Sequence, residues 1–438
     1  MNPSTPKKRA VIHTLGCRLN QAESGLIADQ LAAAGYALVP FGEPADLGVI
    51  HTCTVTREAD AKSRQLIRRF IQAHPGARTV VIGCYAQTGA DTLLKLDGVD
   101  LVIGNREKLN LLRHLDALEA GGPKLVREPM TRAPFTIGWT PEGPPVTERV
   151  NLKIQDGCDF MCTFCVIPFA RGRSRSRDFD DLAAEAAALA RRGARELVVT
   201  GVNSGDYACA GRTITDVVDA LAAAPGVARV RLGSVEMTTI PDGLLERMAD
   251  PGHPLVPHLH VPLQSGSDRV LELMRRHHTA GEYLAFMRRA AALVPDIGLG
   301  ADVMVGFPGE TAEDFTHTRA LIAESPLNYT HVFAYSGRAG TAASRLPEKT
   351  DPAAAAERSA VLRALDAEKQ RAFAERHLGR EVEVLFEQCE RGWWIGHTGN
   401  YLRAAAKSDE NLTNRIGRVV VETAEEGRVF GRLNGPAV

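Results

Sequence analysis

RVNLKIQDGCDFMCTFCVIP, residues 149–168, opens as a strand and ends in a loop carrying Cys158, Cys162 and Cys165, in a chain with eight cysteines in all. The run RVNLKIQD reads as a buried strand, and five similar runs follow: ELVVTGVN (196–203), RVRLGSVE (229–236), HLHVPLQ (258–264), GLGADVMVG (298–306) and NYTHVFAYS (328–336). Helix-like segments separate them. Six βα repeats predict an α/β domain built on a partial parallel (β/α)6 barrel, two units short of the usual eight, with function at the C-terminal ends of the strands. The three-cysteine loop follows the first strand, at that end.

Upstream, strand and helix signals also alternate. RAVIHT (9–14), DLGVIHT (46–52), RTVVIG (78–83) and DLVIGN (100–105) read as strands, with helices predicted over 20–35 and 57–74. This is an open parallel α/β domain over residues 1–128. Its first three strands each run out at or near a cysteine, Cys17, Cys53 and Cys84. Parallel strands place their C-terminal ends along one edge, so the three thiols are expected to converge there. The alternative is that each is a small buried hydrophobe. Five prolines between Pro129 and Pro145, with Gly138, Trp139 and Gly143 among them, mark a linker over 129–147.

The barrel domain is expected over 148–376, closing on an Ala-, Glu- and Arg-rich helix from Pro347 to about Leu378. Beyond it, REVEVLFEQ, GWWIGHTGNYLRA and GRVVVETAEEGRVFGRL alternate with glycine turns and predict a small β-barrel over 377–438. A chain of 438 residues exceeds one ordinary core, in keeping with three domains. No run approaches the roughly 20 apolar residues of a membrane span, and the N-terminus has no secretory pattern, so a cytoplasmic address is expected. In a reducing compartment clustered cysteines read as metal or redox ligands. With 52 basic against 53 acidic residues, net charge neither requires nor excludes nucleic acid.

A structural zinc is usually closed by four Cys or His ligands. The loop offers three thiols at CxxxCxxC spacing. Three thiolates on a four-iron cluster leave one iron free for a further ligand, and this spacing signals a cluster that cleaves S-adenosylmethionine. Phe164 is placed to shield it, or to serve as plain core. A zinc site completed by a distant His or Cys is the alternative.

CDFMCTFC inside a partial parallel barrel resembles the radical S-adenosylmethionine superfamily. TLGCRLNQAES (14–24), HTCTVTREADAKSRQLIRR (51–69), VIGCYAQ (81–87), CVIPFARGRSRSR (165–177), VPLQSGSDRVLELMRRHHT (261–279) and ADVMVGFPGETAEDF (301–315) together resemble the methylthiotransferases of that superfamily, over essentially the whole chain. The NQ after the first cysteine and the stretch TCTVTREADAKSRQ resemble the branch that acts on N6-threonylcarbamoyladenosine beside the tRNA anticodon. The branches that act on isopentenyladenosine in tRNA, or on an aspartate of a ribosomal protein, are the alternatives. A non-catalytic, metal-bound RNA-binding protein is the reading from another class.

The resemblance implies two 4Fe-4S clusters, one on Cys158, Cys162 and Cys165 and an auxiliary one on Cys17, Cys53 and Cys84. Cys209 and Cys389 are incidental. It implies two S-adenosylmethionine molecules per turnover, one cleaved to a deoxyadenosyl radical and one supplying a methyl group. The cofactor carries the hard chemistry, so no general base is sought, and His258 and His260 read as packed and hydrogen-bonded. Thr200, Gly201, Asn203, Ser234, Glu236, Gln264 and Asp302, after the barrel strands, are expected to hold S-adenosylmethionine, Glu236 foremost. Glu310 is read as part of a turn opening a helix. Arg171, Arg173, Arg175 and Arg177 are expected to clamp RNA phosphates. The anticodon loop of tRNA must present an unstacked base. The C-terminal barrel resembles the family's TRAM domain through GHTGNYLRA (396–404), with Trp393, Trp394 and Tyr401 as stacking surfaces or core. An electron-donor protein, the iron–sulfur assembly machinery, no membrane and a monomeric chain complete the expectation.

Overall fold

In a computed structural model, residues 8–143 and 149–437 are described, and the end of the expected linker, 144–147, lies outside them. The N-terminal domain is a six-stranded sheet, all parallel, with strands Arg9–Thr14, Leu47–Thr52, Arg78–Gly83 and Leu101–Ile103 neighbours in that order. Two-residue edge strands, Ala37–Leu38 and Leu125–Val126, flank them. These two are too short to leave a periodic signal in sequence. Helices Arg18–Ala33 and Arg57–Ala73 cover the sheet, and apolar clusters lie on both its faces. The buried side of the first helix includes Asn20, Glu23 and Ser24 beside Leu19, Leu26 and Ile27.

The central domain has the six expected strands: Val150–Lys153, Glu196–Thr200, Arg229–Leu232, His258–His260, Gly298–Val305 and Tyr329–Ala334. They form two three-stranded parallel sheets, stitched together by bridges between Val230 and Leu255 and between Ser234 and His260. Among the described residues no ladder joins the first strand to the last, so the barrel is open along one side. The first strand stops short of its sequence reading. After Ile154 the chain turns aside, and Gln155–Asp156 pairs antiparallel with Arg175–Ser176. That small ribbon clasps the cysteine loop between its strands.

Helix Pro352–Glu375, capped by Asp351, covers the last strand, where Thr330 N–H donates to Asp366 at 2.6 Å. Five strands, from Glu381–Glu390 to Arg428–Leu433, then close a barrel with its own core. It docks at the starts of the central strands. Arg229 donates to the His397 and Glu383 carbonyls, and Arg231 to those of Thr398 and Gly399.

The N-terminal domain bridges the open side. On the first-strand flank, Glu23 meets Lys153 at 2.7 Å and Arg171 at 3.0 Å. On the last-strand flank, the Arg57 backbone N–H donates to the Ser336 hydroxyl and its guanidinium to the Gly337 carbonyl, while Arg338 reaches Asp60 at 2.6 Å.

Candidate active site

Each cysteine group is assembled by local backbone chemistry. Cys17 caps the helix that begins at Arg18, and Cys84 begins the helix Cys84–Thr88, so both thiols stand at strand-to-helix turns. Gly16 has φ +109°, and a Cβ there would fall 2.9 Å from Cys53 Cβ. Only glycine lets the first loop pass this close to the second. Asn20 fastens the two, donating to the Leu15 carbonyl at 2.8 Å and the Thr52 carbonyl at 3.2 Å. Burial pushes the Cys53 thiol up to about 11, with Cys84 and Cys17 as charge neighbours that add to the shift. The fourth strand contributes Asn105, whose amide donates to Cys84 Sγ at 3.5 Å and to the Ala170 carbonyl at 2.7 Å.

In the second group, Gly157 has φ +72° and a Cβ there would lie 2.0 Å from the Arg173 carbonyl oxygen. Cys158 N–H donates to the Gly172 carbonyl, and Thr163 is tied to Met274 and Leu273. Burial raises the Cys158 thiol to about 11 and Cys165 to about 12. Arg276 donates to Cys162 Sγ at 3.6 Å and grips the Glu236 carboxylate with both Nη atoms. Phe164 packs under the loop with Phe307, Val270 and Met274, as core.

The donor sets fit iron. Buried thiols that are hard to ionise alone become good ligands when a cation compensates them. Both groups offer three thiols, Cys17 the exposed one among them, held by turns that no fourth cysteine shares. The donors beside Glu236 also fit a polar ligand. Asn203 Oδ1 is engaged by Glu236 N–H and Thr239, and its amide faces Asp206, while the Ser204 hydroxyl and Arg276 Nε are buried without partners. Buried orphan donors are uncommon and call for an acceptor.

A cavity of about 920 Å³ runs through the half-barrel, and its lining includes Cys17 and Cys53 from the N-terminal domain together with Thr200, Gly201, Ser234 and Asp302. Ile167 and Arg171, just beyond the cysteine loop, also line it. Asp302 accepts from His260 at 3.1 Å and His331 at 3.2 Å, and His260 also meets the Tyr329 hydroxyl. His258 is buried against that hydroxyl. Gln264 stands at the fourth strand's end with φ +71°, bridged to Val303. Val55 and Phe333, each about half exposed, stand where the two domains meet along this lining.

Three of the four arginines expected to clamp phosphates are turned inward onto carboxylates. Arg171 and Arg177 are 1% and 0% exposed. Arg171 binds Glu23, Asp156 and Asn20, Arg175 pairs with Asp156, and Arg177 pairs with Asp181 and Glu185. Burial without carboxylates would be prohibitive, so these acids hold the guanidiniums inward, Glu23 from a remote helix and Asp181 from the next turn of chain. Arg173 alone of the four stays substantially exposed, beside Asp159. Burial by itself would raise the Glu23 carboxyl, but Arg171, Lys108 and Lys153 hold it well below its usual range. Tyr401 is partly buried, stacked on His397 and tilted against His258. Trp394 packs on the barrel core, and Lys407 sits over Trp393. Cys209 is buried in the central core, and Cys389 is exposed on the C-terminal barrel.

Sequence reading missed Glu23, Asn105, Lys153 and Arg276. Glu23 left one signal, a charge on the apolar stripe Leu19, Leu26, Ile27 of an amphipathic helix. No helix among the described residues is long and apolar enough to cross a membrane.

Comparison with known proteins agrees with this geometry. The Radical SAM superfamily profile matches residues 152–322, and that of the Uncharacterized protein family UPF0004 matches residues 9–104. The chain is 35% identical to Threonylcarbamoyladenosine tRNA methylthiotransferase MtaB of Bacillus subtilis, over 93% of this chain and 92% of that one. It is 38% identical to the protein of the same name from Aquifex aeolicus, over 86% and 92%. It is also 36% identical to tRNA-2-methylthio-N(6)-dimethylallyladenosine synthase of Cereibacter sphaeroides, over 94% and 95%. Among solved structures, the radical S-adenosylmethionine methyltransferase TsrM of Kitasatospora setae superposes with a TM-score of 0.55 at 13% identity, covering 75% of this chain and 72% of that one, a likeness of fold. With matches of this length across both its cysteine-bearing domains, the chain belongs to the MtaB-like radical S-adenosylmethionine methylthiotransferases.

Proposed function

We propose that this tRNA methylthiotransferase inserts a methylthio group at carbon 2 of N6-threonylcarbamoyladenosine beside the anticodon, using two 4Fe-4S clusters and two S-adenosylmethionine molecules per turnover. Cys158, Cys162 and Cys165 would hold the cluster that supplies the electron for S-adenosylmethionine cleavage, and Cys17, Cys53 and Cys84 the auxiliary one. The observation that carries this reading is a cavity lined by Cys17 and Cys53 on one wall and by Thr200, Gly201, Ser234 and Asp302 on the other, with Ile167, two residues beyond Cys165, on the same lining.

The side chains bind and orient. Ser204 and Arg276 offer unpartnered donors to S-adenosylmethionine, and Arg276 fixes Glu236 next to the three-cysteine loop. Gly201 leaves room, since a Cβ there would meet Gln155 Oε1 at 2.8 Å. The mouth residues Val55 and Phe333 offer apolar surface to an unstacked base. Arg173 is the member of the basic run left to meet RNA. We further propose a monomer working in the cytoplasm, served by an electron-donor protein and the iron–sulfur assembly machinery.

The Cereibacter relatives favour a second reading, the same chemistry on dimethylallyladenosine. Deleting the gene and measuring tRNA nucleosides by mass spectrometry separates the two. Loss of 2-methylthio-N6-threonylcarbamoyladenosine, restored by wild type and not by Cys162→Ala, is the expected result. Loss of the dimethylallyl product instead assigns the second reading.

A further inference from the structure

The floor of the cavity carries more positive charge than its carboxylates neutralise. Three guanidiniums lie over the Tyr401 ring, those of Arg18, Arg149 and Arg231, at 5.5, 5.7 and 5.3 Å from its centroid. Arg231 is satisfied by Glu196 and by the Thr398 and Gly399 carbonyls. Arg149 pairs with Glu387 at 2.6 Å, yet its Nε and Nη1 are buried without a hydrogen-bond acceptor of good geometry. Arg18 donates to the Tyr401 hydroxyl, and no carboxylate of the described residues comes within ion-pair distance of it. Arg18, Arg149 and Glu387 all line the cavity. A guanidinium cannot shed its proton to escape this environment, and Arg18 stands partly buried with its charge answered by the Tyr401 hydroxyl and no carboxylate. The floor therefore calls for an anion.

The position narrows which anion. Arg149 precedes the first barrel strand, so the floor lies at the end opposite the three-cysteine loop, away from the strand ends expected to hold S-adenosylmethionine. Backbone phosphates of a tRNA remain with the RNA at the mouth when a base is extruded. What reaches deepest is the tip of the base itself. Carbon 2 and the N6 substituent share the Watson–Crick edge of adenine, so a base presenting carbon 2 to the cavity also directs its N6 group inward. A dimethylallyl group there is apolar and leaves Arg18 and the unbonded nitrogens of Arg149 unanswered. A threonylcarbamoyl group ends in a carboxylate.

We propose that Arg18 and Arg149 form a carboxylate-recognition site that selects the threonylcarbamoyl over the dimethylallyl nucleoside. This rests on the substrate reading above and assigns the residues that enforce it. Because Arg18 directly follows Cys17, the same loop would place one proposed cluster ligand and one substrate contact side by side. Arg149 belongs to the central domain, so the site is complete only when the two domains are docked.

The test uses the reconstituted full chain and three anticodon stem-loops, carrying threonylcarbamoyladenosine, its neutral threonine-amide analogue, or dimethylallyladenosine. Turnover and, independently, binding by fluorescence anisotropy are measured for wild type, Arg18→Gln, Arg149→Gln and the charge-neutral pair Arg149→Gln with Glu387→Gln. Wild type should prefer the acid over the amide by about 10²-fold, mainly through KM, as expected when a buried charge loses its partner. The paired variant and Arg18→Gln should each shrink that preference at least tenfold while retaining the wild-type iron content. If wild type prefers the acid and every variant keeps that preference, the assignment of these arginines is overturned and the substrate reading stands. If wild type handles the dimethylallyl stem-loop as well as the threonylcarbamoyl one, the substrate reading itself fails. A variant that loses iron is judged by its binding ratio for acid over amide, and an unchanged ratio counts against the proposal.

Discussion

Cys158, Cys162 and Cys165 share one loop, whereas Cys17, Cys53 and Cys84 are gathered from three strand ends of a separate domain. The first group needs only local order: the Gly157 turn, the Gln155–Asp156 ribbon and the anchoring of Thr163 to Leu273 and Met274. The second depends on a whole parallel sheet and on what the sheet is docked against. Between them lies the knot of Glu23, Lys108, Lys153, Asp156 and Arg171, through which the dispersed group is positioned beside the half-barrel. A compact motif carries its own geometry, and a dispersed one borrows it from the fold.

The largest effects should come from removing one thiol from either group. Cys162→Ala is expected to abolish methylthio product and reductive cleavage of S-adenosylmethionine, and to halve the iron of the anaerobically reconstituted protein. Cys53→Ala should abolish product and halve the iron while leaving S-adenosylmethionine cleavage in place, read as deoxyadenosine release. Equal loss of cleavage in both variants would break the division of labour.

Glu23→Ala comes next, because it leaves buried Lys108 without a carboxylate and Lys153 and Arg171 sharing Asp156 alone. Losing one member of a buried ion network costs about 3–5 kcal/mol, measured by denaturant unfolding. The dispersed group should lose iron first, since Glu23 sits on the helix that begins at Cys17. A smaller effect follows from Asn105→Ala, which deletes the hydrogen bonds to Cys84 Sγ and the Ala170 carbonyl. Hydrogen bonds to cluster sulfur stabilise the reduced form, so the potential of the auxiliary cluster should fall and that of the other stay put. The smallest is Thr279→Ala, which removes a capping box on an exposed turn of the central domain. It should cost about 1 kcal/mol and leave the iron of both groups intact, a control for stability loss without site loss.

The contrast also explains what was legible in the sequence. The six barrel strands and the four long N-terminal strands follow from apolar runs bounded by turn residues, and CxxxCxxC is visible because its spacing is contiguous. Convergence of Cys17, Cys53 and Cys84 could be inferred because parallel strands share an edge. The fate of the arginine run could not. Arg171 and Arg175 look the same whether they face phosphate or Glu23 and Asp156, which lie far from them or across the cysteine loop, whereas Arg177 has Asp181 only four residues on. Tyr401 was hidden for a similar reason, since its burial depends on where the C-terminal barrel docks. Edge strands of two residues carry too little pattern to be read at all.

Electron paramagnetic resonance of the reduced, reconstituted protein tests most directly whether the compact and dispersed groups each hold a cluster facing one cavity. Two cubane signals that split or broaden one another, each removed separately by Cys162→Ala and Cys53→Ala, are predicted. A single cubane signal, or two that ignore each other, would contradict it.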